Sequence, residues 1–208
     1  NEGPGQRAGH RKDDEEDEGQ DAERLWDVGM DYLIRKAEQE DIERIIEIAQ
    51  SRLVSSASQE TTGLIDYPIP SAEKYSKRIS QGLFYVAYDT SWGYVAGFMD
   101  AYRDESLKNI FGDDPVVKAI AEAGESPLAY INTLAVTKEF EGMRLPSQFF
   151  SRLEEDLGKS CKQVWAAIVI GPLKNKRSAA VFSRAGFTFE EEIRAFEKYT
   201  FGLYKKRL

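Results

Sequence analysis

"LAVTKEFEGMRLPSQFF", Leu134 to Phe150, is the stretch on which the reading of this 208-residue chain turns. Leu134-Ala135-Val136 closes an apolar run that reads as a strand. A charged loop with one glycine, Gly142, follows. Apolar residues then return at helical spacing, at Phe149, Leu153 and Leu157. Strand, glycine-bearing loop and helix start together form a common phosphate holder, because N–H groups at a helix N-terminus point at the anion. Yet Arg144 and Pro146 stand where small residues would be expected. The stretch reads as a phosphate site, a rebuilt one, or a relic.

Outward from it, "PLAYINTLAV" is one strand and "QVWAAIVI", with no polar alternation, is a buried one. "NKRSAAVFSRAGF" reads as a helix closed by Gly186, followed by strands at about 188–193 and 198–204. On the N-terminal side, Tyr32 to Arg35 reads as a strand. Ile42, Ile45, Ile46, Ala49 and Leu53 give a helical period, with Glu38, Glu40 and Asp41 suiting its first turn. A linker, "TTGLIDYPIP", leads to a short helix over about 71–80. "GLFYVAY" and "GYVAGFMDAY" then form an antiparallel hairpin turning at Asp89 to Gly93. Residues 104–126 read as a polar connection containing one helix, Asp114 to Ala123. The order predicts an α/β fold of the α+β type, a mixed sheet covered by helices.

Composition narrows the function. Net charge is -8, of which residues 1–24 hold nine acidic and four basic residues. That segment, centred on "DDEEDE", has no large apolar residue and is expected to be a disordered tail; the domain is expected over 25–208. No basic footprint appears, which reads against DNA or RNA. No run reaches the ~18 apolar residues of a membrane span, and no signal peptide is visible. A single cysteine, Cys161, excludes an internal disulfide and fits a reducing, cytoplasmic setting. The only histidine, His10, lies in the tail, so Ser-His-Asp and Cys-His catalysis are excluded from the globular part. No metal is implied.

The element order and two local patterns resemble the GNAT superfamily, the acyl-CoA-dependent N-acyltransferases, over about residues 30–208. "YLIRKAEQEDIERI" resembles its first strand and helix, and "YVAGFMDAY" its third strand. Most telling is Asn175, with Ser178 at +3, Phe182 at +7 where the family has Tyr, and Gly186-Phe187 at +11 and +12. The resemblance implies a sheet of about seven strands. It also implies acetyl-CoA or another acyl-CoA as co-substrate, a small-molecule or peptide amine as acceptor, and homodimers, as in many members.

The family's loop, Q/R-x-x-G-x-G/A, corresponds to Glu141, Gly142, Met143, Arg144, Leu145 and Pro146, with all three defining positions changed and Ser147 following. Glu141 is expected to weaken polyanion binding, and Pro146 lacks a donor. Arg144 either grips a phosphate through its guanidinium or points into water. By resemblance, cofactor contacts fall on Leu134, Ala135, Val136, Gly142, Met143, Arg144, Leu145, Ser147, Asn175, Ser178 and Phe182. The backbone near Leu134 and Val136 would pair with the pantetheine arm and polarise the thioester. Phe182 removes the usual proton donor, or is simply core. Tyr130, Asn132 and Leu134 are expected to share a strand face. Asn132, as a hydrogen-bonding group, and Tyr130, as a proton shuttle if its pKa were lowered, are the catalytic candidates; both also read as structural residues. Tyr67, Tyr75, Phe84 and Tyr85 line an acceptor pocket or pack the sheet. The slightly acidic domain is compatible with a cationic amine. Two readings stay open: an N-acyltransferase with a modified cofactor loop, and a non-catalytic ligand- or protein-binding module of the same fold.

Overall fold

Aromatic and β-branched runs build the sheet, and the amphipathic segments between them cover it. The computed structural model describes residues 32–53 and 68–208. The expected acidic tail, His10, the domain start at Leu25 and the linker through Tyr67 lie outside those residues. The described elements are β1 (Tyr32–Lys36), α1 (Ile42–Ser51), α2 (Ala72–Gln81), β2 (Leu83–Asp89), β3 (Tyr94–Arg103), α3 (Asp104–Phe111) and α4 (Pro115–Ala123). Then come β4 (Leu128–Val136), α5 (Leu145–Leu157), β5 (Gln163–Gly171), α6 (Lys176–Arg184), β6 (Thr188–Ala195) and β7 (Tyr199–Arg207).

Among the described residues the strands form one seven-stranded sheet, in the order β1-β2-β3-β4-β5-β7-β6. Only β4 and β5 run parallel; every other neighbouring pair is antiparallel. The β2–β3 turn is held by Asp89, whose carboxylate accepts the N–H groups of Ser91 and Trp92 at 2.8 and 3.0 Å. One face of the sheet buries Phe149, Phe150, Leu153 and Leu157 of α5 with Phe182 of α6. The other buries Ile45, Ile48 and Ala49 of α1, Tyr75 of α2, Leu107 of α3, and Val116, Val117 and Ile120 of α4. Each of the Val, Leu, Ile and Phe side chains contributes about 1.5–3 kcal/mol by leaving water. Cys161 is buried in the first of these cores.

Helix α3 was read from sequence as polar connection. Its eight residues bury only Leu107 fully, too few apolar positions for the period to show. Asp104 and Glu105 in its first turn suit its dipole, and Gly112, at φ 59°, ends it.

Of four register shifts among the described strands, two involve β3. The β2–β3 register shifts between Ala87 and Tyr88, and the β3–β4 register shifts between Asp100 and Ala101. In the second, Asp100 pairs with Thr133 and Ala101 with Ile131, so Asn132 is an extra residue, a β-bulge in β4. Further along β3, Gly97 lies tightly against β4. A Cβ there would stand 2.7 Å from the carbonyl oxygen of Ala135 and 3.2 Å from Cα of Val136. Both neighbours are backbone and cannot turn aside. Gly97→Ala is therefore expected to force β3 and β4 apart at a cost of about 1–3 kcal/mol. Thermal unfolding should then fall by about 2–4 °C for each kcal/mol lost; an unchanged midpoint would show that the strands separate freely here.

Candidate functional site

The parallel β4–β5 ladder is short. It runs from Leu128 opposite Gln163 to Ile131 opposite Ala166 and stops, although β4 continues to Val136 and β5 to Gly171. Beyond that point β4 stays paired with β3, and β5 with β7. The sheet thus opens along its middle, and the opening starts at the Asn132 bulge.

The open edge of β4 carries defined peptide groups. The Thr137 N–H donates to the Ala96 carbonyl at 2.9 Å. Since peptide groups alternate along a strand, Ala135 and Thr133 also face β3, and Leu134 and Val136 turn theirs toward the opening. An extended ligand can pair there as an added strand.

Two cavities meet at this edge. One, of about 550 Å³, is lined by Leu134, Ala135, Val136, the loop residues Glu141, Gly142, Arg144, Pro146 and Ser147, and one side of α6. The other, of about 630 Å³, is lined by Tyr75, Ile110, Phe111, Tyr130, Asn132, Thr133, Phe196 and Phe201. Leu134, Asn175, Ser178 and Phe182 border both.

The first cavity has the chemistry of an anion site. Gly142 and Arg144 both have positive φ, 90° and 56°. Arg144 is left-handed at the N-cap of α5, so this arginine adopts the backbone shape that glycine takes freely. Met143 N–H donates to the Phe140 carbonyl, and Ser147 N–H to that of Arg144. The N–H groups of Gly142, Arg144 and Leu145 make no backbone hydrogen bond among the described residues. Pro146 occupies the second helical position, where the missing donor costs the helix nothing. Ser147 gives its hydroxyl proton to the Arg144 carbonyl at 2.6 Å. The side chains of Met143 and Leu145 turn into the core, Met143 receiving the Tyr32 hydroxyl on its sulfur.

Four arginines, Arg52, Arg144, Arg177 and Arg184, line this cavity against one acid, Glu141. Sequence reasoning missed Arg52 and Arg177, which reach the loop from α1 and α6. From sequence Glu141 is expected to weaken anion binding, but its two oxygens are engaged by Arg52 and Arg177, each at 2.5 Å. Burial pushes its carboxyl up, but hydrogen bonds from Arg177 and Arg52 outweigh that and hold it below the usual carboxylate range. Arg144 lines the cavity, and its guanidinium makes no ion pair among the described residues.

Helix α6 explains the Asn-x-x-Ser spacing by capping. The Asn175 side chain accepts the Ser178 N–H at 2.8 Å. One turn on, Phe182 packs edge-on against Phe150 and Phe187, with centroids 5.1 and 5.0 Å away.

In the second cavity the bulge overturns one expectation. Tyr130 packs with the α3–α4 core and Leu134 with the α5–α6 core, so the two sit on opposite faces. The expected shuttle role of Tyr130 also fails on its pKa. Burial, with Asp114 and Asp100 adding to it, pushes the phenol up rather than down. Asn132 spends both amide hydrogens inside the protein, on Asp100 at 3.0 Å and Thr133 at 2.9 Å. What it can offer the cavity is its amide oxygen. Asp100 is fully buried, also accepts the Tyr102 hydroxyl at 2.7 Å, and lies 3.6 Å from Arg78. Of the expected aromatic lining, Tyr75 reaches the cavity, and Phe84 and Tyr85 are core. Lys74, Lys77 and Arg78 of α2 line it, against Asp114, whose carboxylate caps α4. The acidic balance of the domain therefore does not describe this cavity, whose wall is basic.

No protein-family model matches the chain, and no curated protein matches it in sequence. Its fold does match solved structures. Arabidopsis thaliana NAA60 in complex with acetyl-CoA superposes with a TM-score of 0.61 at 15% identity, over 86% of this chain and 99% of that one. The Escherichia coli ribosomal-protein-S18-alanine N-acetyltransferase gives 0.58 at 13% identity, over 85% and 94%. A GNAT superfamily phosphinothricin acetyltransferase from Sinorhizobium meliloti in complex with AcCoA gives 0.57 at 22% identity, over 86% and 89%. The chain thus has the GNAT fold.

The loop's backbone shape can be tested without any ligand. A Cβ on Gly142 would meet nothing within 4 Å, so Gly142→Ala changes only backbone preference. It is expected to cost about 1–2 kcal/mol, or roughly 2–8 °C in thermal midpoint. Arg144→Gly is expected to cost nothing measurable, because relief at positive φ offsets the added freedom of the unfolded chain. Equal losses in the two variants would show that the loop does not hold these angles in solution.

Proposed function

We propose that the chain is an acyl-CoA-dependent N-acyltransferase acting on an amine. The observation that carries this is the open edge of β4, which joins a cationic, N–H-lined cavity to an aromatic one through a shared wall. A phosphate-bearing acyl carrier fits the first, with the unpaired N–H groups of Gly142, Arg144 and Leu145 and the guanidinium of Arg144 as donors. Bound acyl-CoA supplies an activated acyl group and a thiolate leaving group.

The Leu134 and Val136 peptides would hold the arm as an added strand, and a peptide N–H at this edge would stabilise charge developing on the thioester oxygen. Asn132, pinned by Asp100 and Thr133, presents its amide oxygen to an entering amine and orients its N–H. Phe182 provides no proton. A thiol's ordinary pKa of about 8.5 lets the thiolate depart without one, more slowly than with a donor, which is typically worth about 10²–10⁴ in rate. Among the described residues Asp114 is occupied in capping and Asp100 is fully buried, so neither carboxylate stands ready as base. With the described residues alone, the amine arrives deprotonated. The basic wall of Lys74, Lys77 and Arg78 favours acceptors that carry an acidic group beside the amine. The buried thiol of Cys161 is in keeping with a reducing, cytoplasmic setting. Among the described residues no helix is long and apolar enough to cross a membrane.

One observation favours a second reading. Phe182 sits in an aromatic cluster where a proton donor would speed the reaction, as it would in a binding module that performs no chemistry.

Thiol release from acetyl-CoA, followed across a panel of amines and pH values, separates the two. The enzyme reading expects kcat/KM to rise with pH until the acceptor's own pKa, so that the inflection moves when the amine is changed. Amines bearing a carboxylate should exceed their amide counterparts by about tenfold, the effect of ~1.4 kcal/mol. An inflection fixed across amines would reveal a protein base. Tight binding of acetyl-CoA with no release for any amine would leave the binding module.

A further inference from the structure

The arrangement of Arg52, Glu141 and Arg177 goes beyond holding a loop in place. Arg52 comes from the C-terminal cap of α1, Glu141 from the β4–α5 loop, and Arg177 from the first turn of α6. All three line the cationic cavity. Arg52 and Glu141 are 18% and 21% exposed, and Arg177 is 52% exposed at the rim. The carboxylate lies between the two guanidiniums, one oxygen on each.

We propose that Arg52 and Arg177 form a seat for a phosphomonoester dianion of the acyl carrier, and that Glu141 occupies this seat as an internal anion until the ligand displaces it. This rests on the acyltransferase reading for the identity of the ligand, and on the geometry alone for the seat.

Charge matching selects the phosphomonoester. Two guanidiniums with one carboxylate carry a net single positive charge. A dianion in place of the carboxylate balances both arginines, and a dianion added beside it does not. A phosphodiester link carries only one charge per phosphorus and is suited to the loop's N–H groups. A terminal phosphate, with two charges and three oxygens, suits a pair of guanidine forks. Glu141 differs from a permanent structural partner in lining the cavity itself, with one of its arginines at the rim. The acid that sequence reading counts against polyanion binding thus keeps two arginines poised and competes with the ligand for them.

The test is titration calorimetry with acetyl-CoA, its 3′-dephospho form and 3′,5′-ADP. The proteins are the wild type, Glu141→Gln, Arg52→Ala, Arg177→Ala and the Glu141→Gln/Arg177→Ala double variant. Glu141→Gln keeps the shape and removes the competing charge. It is expected to bind acetyl-CoA and 3′,5′-ADP about three- to tenfold tighter than wild type, while melting a few degrees lower for want of the ion pairs. Wild type should prefer acetyl-CoA to its dephospho form by about tenfold or more, and either arginine variant should lose that preference. The gain from Glu141→Gln should vanish in the double variant. Equal wild-type affinity for the two forms, or weaker 3′,5′-ADP binding by a folded Glu141→Gln protein, would overturn the seat. Because 3′,5′-ADP carries no thioester, its tighter binding to Glu141→Gln upholds the seat even if no amine is acylated. Acylation without any 3′-phosphate preference would refute the seat and leave the acyltransferase reading standing.

Discussion

One extra residue in one strand organises the candidate site. Asn132 is inserted opposite the Asp100–Ala101 step of β3, and its amide is fixed by hydrogen bonds to Asp100 and Thr133. A bulge bends its strand and strengthens the local twist. Here the strand parts from β5 directly after Ile131. The same insertion reverses which face each later residue occupies, placing Leu134 with the α5–α6 core and leaving Tyr130 in the opposite one. Cleft, exposed peptide edge and division into two cavities all follow from this local event. Its stability depends on Asp100, a fully buried carboxylate that also takes the Tyr102 hydroxyl and lies near Arg78. All of these partners meet Oδ2 while Oδ1 has no hydrogen-bond partner, so removing one would leave a buried carboxylate still shorter of donors, which is costly in such networks.

The fold was largely legible in the sequence because its signals are local. Ile42, Ile45 and Ala49, and then Phe149, Leu153 and Leu157, keep a helical period and are buried in their helices. "QVWAAIVI" lacks alternation because it is an inner strand between β4 and β7. The spacing from Asn175 to Gly186 reflects a cap at one end and a positive φ of 88° at the other. Helix α3 escaped notice because a two-turn segment with one fully buried residue has almost no period to show.

The candidate site was less legible, for a different reason. A bulge has no sequence signature in "YINTLAV", so alternation was carried straight through it and grouped Tyr130 with Leu134. The direction of the Tyr130 pKa depends on burial by elements distant in sequence, with Phe111 among its neighbours at a ring-centroid distance of 5.9 Å. The environment of Glu141 depends on Arg52, 89 positions earlier, and on Arg177, 36 positions later. A charge read by itself in a loop has the wrong apparent sign when its partners arrive through the fold.

Long-range pairing also reconciles an acidic chain with a cationic cleft. Net charge governs solubility and distant steering, but what a bound anion meets is the field of groups within about 8–10 Å, the screening length at physiological salt. The charged residues that line the cavity at the β4–α5 loop are four arginines and one engaged glutamate. The loop lacks the small residues that usually let a backbone close on phosphate, yet Gly142 and Arg144 still hold positive φ. An arginine held left-handed costs about 1–2 kcal/mol relative to glycine. Side chains that reach into the cavity can offset that cost only when an anion is present. If the loop binds an anion as proposed, it exchanges part of a backbone cradle for guanidinium contacts, and its affinity should depend on salt more steeply than that of a cradle built from glycine alone.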